Sequence, residues 1–398
     1  MKILQVISSF PPAYSYGGAA RVAYDISKEL VKKSHEVTVY TTDVFDANSR
    51  FKYNSNPMYM DGIEVYHFKN LSNNLSKRNF PIALEIFNYL KKNLQNFDVV
   101  HIHEYRSFQA VVTHHFTVKY GIPYVLQAHG SALPFFQKQK IKKLFDFIVG
   151  NDILNNASKA IAITNTELEQ LVKMGVDRAK IEIVPNGVDF SFYENLPAQG
   201  LFRRKYGIGK NEKIILYLGR IHMIKGIDLL VDAFSDLVNK IENIRLIIAG
   251  PDDGFLSTLK AQIENLKIGD RILFTGPLYE MDKLEAYVDA DVYVLPSVYE
   301  AFPVTVLEAC ACGIPVIVTD RCGIADFVSG RVGYVVKFDK YILQDAIFKI
   351  LCDKNLKKEF GLLGRDVVNE KFNWMNLVGR FELIYETIRI GDRKKCKS

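Results

Sequence analysis

Two glutamates, Glu300 and Glu308, stand eight positions apart in the stretch YEAFPVTVLEACACGIPVI, residues 299–317. Carboxylates here could form an acid–base pair, join a metal site or grip the hydroxyls of a ligand. The metal reading fits poorly. Nine residues separate Cys312 from Cys322, no histidine is near, and the spacing matches no zinc pattern. Cys310 and Cys312 read instead as small buried residues where a helix packs on a sheet. Pro303 suits the first helical position and Gly313 the residue just past the helix end. Glu300 then precedes the helix, while Glu308 lies more than one turn inside it. The two are expected to touch different parts of one ligand.

Three further loops carry candidate chemistry. In YLGRIHMIKG, Arg220 and Lys225 stand five apart, with Gly226 opening a helix. A planar fork and a mobile point charge beside a helix N-terminus suit a diphosphate, and a leaving group that gains charge in the transition state is stabilised by cations placed there. The competing reading is a solvated loop. Gly17 and Gly18 follow the first apolar run and open the helix that carries Arg21. That arrangement favours close backbone approach and an anion, or else is a flexible loop and helix start; the G-x-G-x-x-G fingerprint is absent. QAHG puts His129 and Gly130 directly after a strand, as a hydrogen-bonding group or base in a cleft, or as a structural histidine.

The elements that must position these loops alternate along the chain. Apolar runs at MKILQV, EVTVYTT, DVVHIH, PYVLQ and KAIAI read as strands buried on both faces, and Val22, Ile26 and Leu30 mark one face of a helix. A break with Asn186-Gly187 and Pro197 follows. A second series then starts: EKIILYL, IRLIIA, RILFTG, DVYVL, IPVIVT and VGYVV, with helices between. The reading is α/β, with two doubly wound parallel sheets in tandem, whose ligands bind at the carboxyl ends of the strands. Length agrees with two domains, 1–190 and 200–372, with a C-terminal helix near 374–390 and 391–398 as a disordered tail.

Together these motifs resemble the retaining, nucleotide-sugar-dependent glycosyltransferases of the GT-B type, glycosyltransferase family 4. GRIHMIKG with the E-x7-E stretch carries the likeness, and the Gly-Gly loop, AHG and VPNGVD follow in that family's order. The resemblance implies two facing Rossmann-like domains with an inter-domain cleft, and a last helix crossing back to the first domain. It implies that Arg220 and Lys225 hold the donor diphosphate, that Glu300 contacts the donor sugar and that Glu308 binds the ribose. Gly17 and Gly18 would approach the phosphate or sugar, and His129 would bond the transferred sugar. Leu278 would lie by the base, and Ala301, Phe302 and Pro303 would form the sugar-facing loop. The family often has glycine where Pro303 stands, and proline removes one backbone N–H. The implied reaction moves a hexose-type sugar to a glycan, polysaccharide or lipid-linked acceptor of cell-surface glycan biosynthesis, with no metal or cofactor. The leaving phosphate would take the acceptor proton in a front-face substitution. A nucleotide-sugar epimerase or hydrolase is the alternative on the same fold.

The net charge is +6, with 22 Lys/Arg against 17 Asp/Glu up to Phe190 and 29 against 28 beyond it. That surplus is too mild for nucleic acid but suits an anionic substrate or membrane surface. Residues 133–149, LPFFQKQKIKKLFDFIV, interleave four lysines with phenylalanines. The preferred reading is an amphipathic helix with a core-facing Phe stripe; interfacial membrane binding is its rival. Five scattered cysteines, no signal-like h-region and no long uncharged apolar window give the expectation of a cytoplasmic enzyme, with peripheral contact on the inner membrane face.

Overall fold

The computed structural model describes residues 1–13, 18–46, 49–77, 80–133 and 139–395. The chain divides into two compact units, residues 1–186 with 374–398, and residues 187–373. Residues 187–190, read from the sequence with the first domain, belong to the second. Val188 and Phe190, with Tyr193 just beyond, bury their side chains in its core, and the Val188 N–H donates to the Phe372 carbonyl at 2.8 Å.

The first unit is built on an eight-stranded sheet. Its strands are β1 (Lys2–Val6), β2 (Glu36–Thr42), β3 (Met58–Met60), β4 (Ile63–Phe68), β5 (Val99–His103), β6 (Tyr124–Gln127), β7 (Lys159–Ala162) and β8 (Ile181–Ile183). Their order is β3-β4-β2-β1-β5-β6-β7-β8, parallel except for the β3–β4 hairpin. Side chains alternate across the sheet as the pleat requires. Ile3 and Ile7 pack with helix Gly18–Lys32 and with Trp374, Phe381 and Tyr385 of the C-terminal helix, while Leu4 and Val6 join the opposite core with Ile86, Leu90 and Phe116. That C-terminal helix, Trp374–Lys395, runs on through most of the segment expected as a disordered tail. The Trp374 indole N–H donates to Asp25 at 3.1 Å.

The second unit has six parallel strands, β9 (Lys213–Leu218), β10 (Ile244–Ala249), β11 (Ile272–Gly276), β12 (Val292–Leu295), β13 (Val316–Thr319) and β14 (Gly333–Val336), ordered β11-β10-β9-β12-β13-β14. In each unit the strand order reverses beside the first strand, β1 with β5 and β9 with β12. Loops on the two sides of such a reversal part from each other at the carboxyl edge and leave a crevice there. Among the described residues, no helix is long and apolar enough to cross a membrane.

Candidate active site

In the second unit the loop after β9 is shaped by glycines. A Cβ on Gly250, whose φ is +150°, would fall 1.8 Å from the Gly219 carbonyl oxygen. Beyond it a 3-10 turn, Met223–Lys225, is capped by His222, whose ring Nδ1 accepts the Ile224 N–H at 3.2 Å. Gly226 then adopts φ +64° at the N-cap of helix Ile227–Val238, and a Cβ there would meet the Pro296 carbonyl oxygen at 2.1 Å. Only glycine satisfies both demands. The Val298 N–H donates to Ile224 O at 2.9 Å, so the turn is bound tightly to the loop after β12.

That junction places Lys225 against Glu300. Lys225 Nζ pairs with Glu300 Oε2, and the two side chains are only 15% and 18% exposed. The Glu300 backbone is fixed from the other side. Its N–H donates to Arg321 O at 3.3 Å, and its carbonyl accepts from Gly323 N–H at 2.8 Å. Arg220 is held loosely by comparison. Its guanidinium pairs with Asp253 at 2.6 Å, and both side chains are largely exposed, an arrangement worth little in water.

Glu308 lies on helix Val304–Ala311, which ends in a Schellman motif. Gly313 has φ +76°, its N–H reaches Cys310 O at 2.9 Å, and the Ile314 N–H reaches Ala309 O at 3.0 Å. Pro303 stands at the N-cap, with φ −80° and ψ 109°, one place before the first helical position expected for it. The Glu308 carboxylate takes Lys283 Nζ at 2.6 Å on Oε1 and lies 3.1 Å from the Tyr287 hydroxyl at Oε2. The Tyr293 hydroxyl donates to Thr305 Oγ1 at 2.7 Å. Burial pushes the Tyr287 and Tyr293 hydroxyls well above the ordinary phenol range, so both stay protonated donors.

The remaining second-unit candidates flank this cluster. Leu278 is buried in the loop after β11, Ala301 and Phe302 are half-buried, and the Phe302 ring lies 6.1 Å from that of Phe372. Cys310 and Cys312 are buried free thiols. Cys310 lies against Gly364 of helix Lys354–Lys371.

In the first unit Gly18 is the first residue of its helix, and among the described residues a Cβ added there meets nothing within 4 Å. Gly17 lies outside the described residues. His129 follows β6 with φ +52°, half-buried. It belongs to a stack of imidazoles that the sequence reading missed: His101 lies over His103 at 4.0 Å between centroids, and His103 over His129 at 5.1 Å. His103 Nε2 donates to Gln5 Oε1 at 2.7 Å, which makes its Nδ1 the acceptor for His129 Nε2–H at 2.8 Å. His129 is thus left with Nδ1 as an acceptor. Burial pushes His129 and His101 down to about 3, so the stack is uncharged at neutral pH. Glu167 buttresses the same loop, accepting N–H groups from Gly130 at 2.5 Å and Ile163 at 2.8 Å. Lys225 and Glu300 are the predicted site residues the fold brings into contact; Arg220 and Glu308 take other partners.

Comparison with known proteins agrees with this architecture. Residues 199–366 match the family Glycosyl transferases group 1, and residues 16–192 match Glycosyltransferase Family 4. The chain belongs to these glycosyltransferases and has the GT-B fold. It is 27% identical over 402 residues to N-acetyl-alpha-D-glucosaminyl L-malate synthase of Bacillus anthracis, covering 99% of each chain. Among solved structures it resembles Anabaena Alr3699/HepE in complex with UDP and glucose, with TM-score 0.78, 20% identity, and 97% and 100% of the two chains covered. It also resembles sucrose-phosphate synthase from Thermosynechococcus elongatus, with TM-score 0.75, 21% identity, and 98% and 99% covered.

Proposed function

We propose that the chain transfers a hexose-type sugar, with retention, from a nucleoside diphosphate sugar to a glycan, polysaccharide or lipid-linked acceptor. The observation that carries this is the Lys225–Glu300 pair, immobilised by Gly226 and the loop after β12 with mobile Arg220 on the same sheet edge. Lys225 meets the departing diphosphate, Arg220 leaves Asp253 to clamp it, and Glu300 accepts hydroxyls of the sugar. Glu308 takes the ribose. Leu278 lies at the base, and Ala301, Phe302 and Pro303 form the sugar-facing loop. Gly17, Gly18 and His129 act from the first unit, with His129 offering Nδ1 as an acceptor. One fixed cation, Lys225, and one mobile cation, Arg220, supply the positive charge a leaving diphosphate needs, so the reaction as proposed runs without a metal. The phosphate itself takes the acceptor proton.

A thermal-shift panel tests the donor assignment, since a ligand that binds only the folded state raises the melting temperature. UDP-glucose and UDP-N-acetylglucosamine are the first donors to try, given the UDP and glucose of the Anabaena structure and the name of the Bacillus relative. GDP-mannose and ADP-glucose complete the set. One should shift the melt, and acceptor-dependent transfer should follow in a screen. No shift with any of them, or release of free epimer without acceptor, sinks the reading.

The lipid-linked class of acceptor draws support from helix Gln139–Phe145 and its continuation, Asp146–Gly150. The Phe stripe expected to face the core does so only at Phe145, while residues 134–138 lie outside the described residues. Ile141, Leu144, Phe147 and Ile148 are 58–83% exposed beside Lys140 and Lys143. The inner side is occupied by Asp146, which accepts from the Tyr105 hydroxyl at 3.2 Å and the Arg106 guanidinium at 2.7 Å. An apolar face flanked by lysines suits an anionic bilayer surface. The protein should co-sediment with phosphatidylglycerol vesicles, and Phe147→Ser with Ile148→Ser should weaken that about tenfold or more. Equal recovery of wild type and variant argues against it.

A further inference from the structure

We propose that Lys283 and Tyr287 set the geometry of a diol clamp on Glu308, and so make the site distinguish ribose from 2′-deoxyribose nucleotides. The inference rests on the donor reading above and deepens it. Helix Glu280–Asp289 presents the two residues four apart, hence on one face. Lys283 Nζ binds Oε1 of Glu308 at 2.6 Å, and the Tyr287 hydroxyl lies 3.1 Å from Oε2. Tyr287 is fully buried, so its hydroxyl cannot follow a moving carboxylate, and its one proton is shared between Oε2 and the Thr305 carbonyl oxygen 3.2 Å away.

A carboxylate oxygen accepts about two hydrogen bonds. With one partner already on each oxygen, one acceptor position remains on each. Two positions side by side in the carboxylate plane fit a pair of adjacent hydroxyls. A single hydroxyl would fill only one. Glu308 and Lys283 are 13% and 24% exposed at their side chains, so the pair is near the surface and open to a ligand. Lys283 holds Oε1 by its ion pair, and Tyr287 fixes the rotation of the carboxylate about its last bond. Neither is proposed to touch the reacting atoms: both are positioning residues.

Isothermal titration with UDP, ADP and GDP and with their 2′-deoxy forms tests this, on the wild type and on Lys283→Met, Lys283→Arg and Tyr287→Phe, with melting temperatures checked alongside. The wild type should prefer the ribose form of its chosen base by about tenfold or more, since a hydrogen bond to a charged group is at stake. In Lys283→Met the ratio should fall toward parity, through loss of ribonucleotide affinity more than of deoxynucleotide affinity. Lys283→Arg should restore most of it, and Tyr287→Phe should lower it in part. A general loosening of the fold would weaken both nucleotides alike and leave the ratio unchanged. The proposal is overturned if the wild type binds the two forms equally, or if Lys283→Met keeps the wild-type ratio. If the wild type binds none of the six, the donor reading itself falls and this inference falls with it.

Discussion

Alanine in place of Lys225 is expected to lower turnover by about 10²–10³-fold, the usual loss when one preorganised donor to a developing negative charge is removed. The effect should appear in kcat more than in KM, because the charge on the leaving diphosphate grows as the bond breaks. The pair with Glu300 makes the loss larger than a missing surface lysine would. Both side chains are more than four-fifths buried, and the carboxylate left behind keeps no cation at Oε2. Stability should also fall, by about 1–3 kcal/mol, through that unpaired group. Lys225→Arg should recover only part of the activity, since a planar fork does not occupy the place of a compact ammonium. Initial rates with the donor found by thermal shift, alongside a circular-dichroism melt, separate the two effects. Full turnover in a folded Lys225→Ala protein would remove Lys225 from the mechanism.

Acidification from pH 7 to 5 is expected to destabilise the first unit. His67 is pushed down to about 4, His101 and His129 to about 3, and His103 well below its ordinary value, in each case first by burial. A histidine that is neutral in the fold and titrates near 6.5 when unfolded lends stability that is complete above about pH 6.5 and is lost as pH falls toward the folded value. Glu104 and Glu167 act in the opposite sense. Burial raises both to about 7, so their contribution is present in acid and is lost as pH rises from about 4.5 to 7. Four histidines outweigh two carboxyls, which puts the maximum near pH 6.5. Each net proton is worth about 1.4 kcal/mol per pH unit. Trp374 is the only tryptophan in the chain and is buried in the first unit, so its fluorescence reports that unit alone. Among the described residues neither ring nitrogen of His67 has a hydrogen-bond partner, and the ring packs against Phe51 and Tyr53. His67→Phe should therefore flatten the acid limb. A Trp374 transition unchanged between pH 7 and 5 contradicts this account.

Most strands of both sheets were legible because each is a short apolar run bounded by turn residues, though the three-residue β8 was not read, and the glycines and Pro303 marked the ends of the Glu308 helix. The hairpin β3–β4 escaped notice, although Ile63 and Val65 are buried and Glu64 and Tyr66 are not. That alternation is a period-2 signal, but it is masked by polar and aromatic residues on the outward face. Glu300 and Lys225 were legible as chemistry and not as a pair, since they stand 75 positions apart and are joined by the Gly226–Pro296 approach and the Val298–Ile224 hydrogen bond, neither of which shows in the sequence. Lys283 and Tyr287 left no mark at all. A lysine and a tyrosine four apart are ordinary on any helix, and their meaning comes from the helix they face. The exposed apolar face at Ile141–Ile148 was misjudged because period alone does not say which side has a core to meet.

Helix Lys354–Lys371 touches the Glu308 helix through bare backbone: a Cβ on Gly361 would fall 2.2 Å from the Gly313 carbonyl oxygen, and one on Gly364 3.3 Å from Cys310 Cβ. For anyone retuning this enzyme, that seam divides the second unit into frozen and editable ground. Libraries should leave Gly313, Gly361, Gly364 and Cys310 untouched and spend their diversity on half-exposed neighbours such as Phe302 and Lys283. There, new side chains can change what is recognised without asking two helices to move apart.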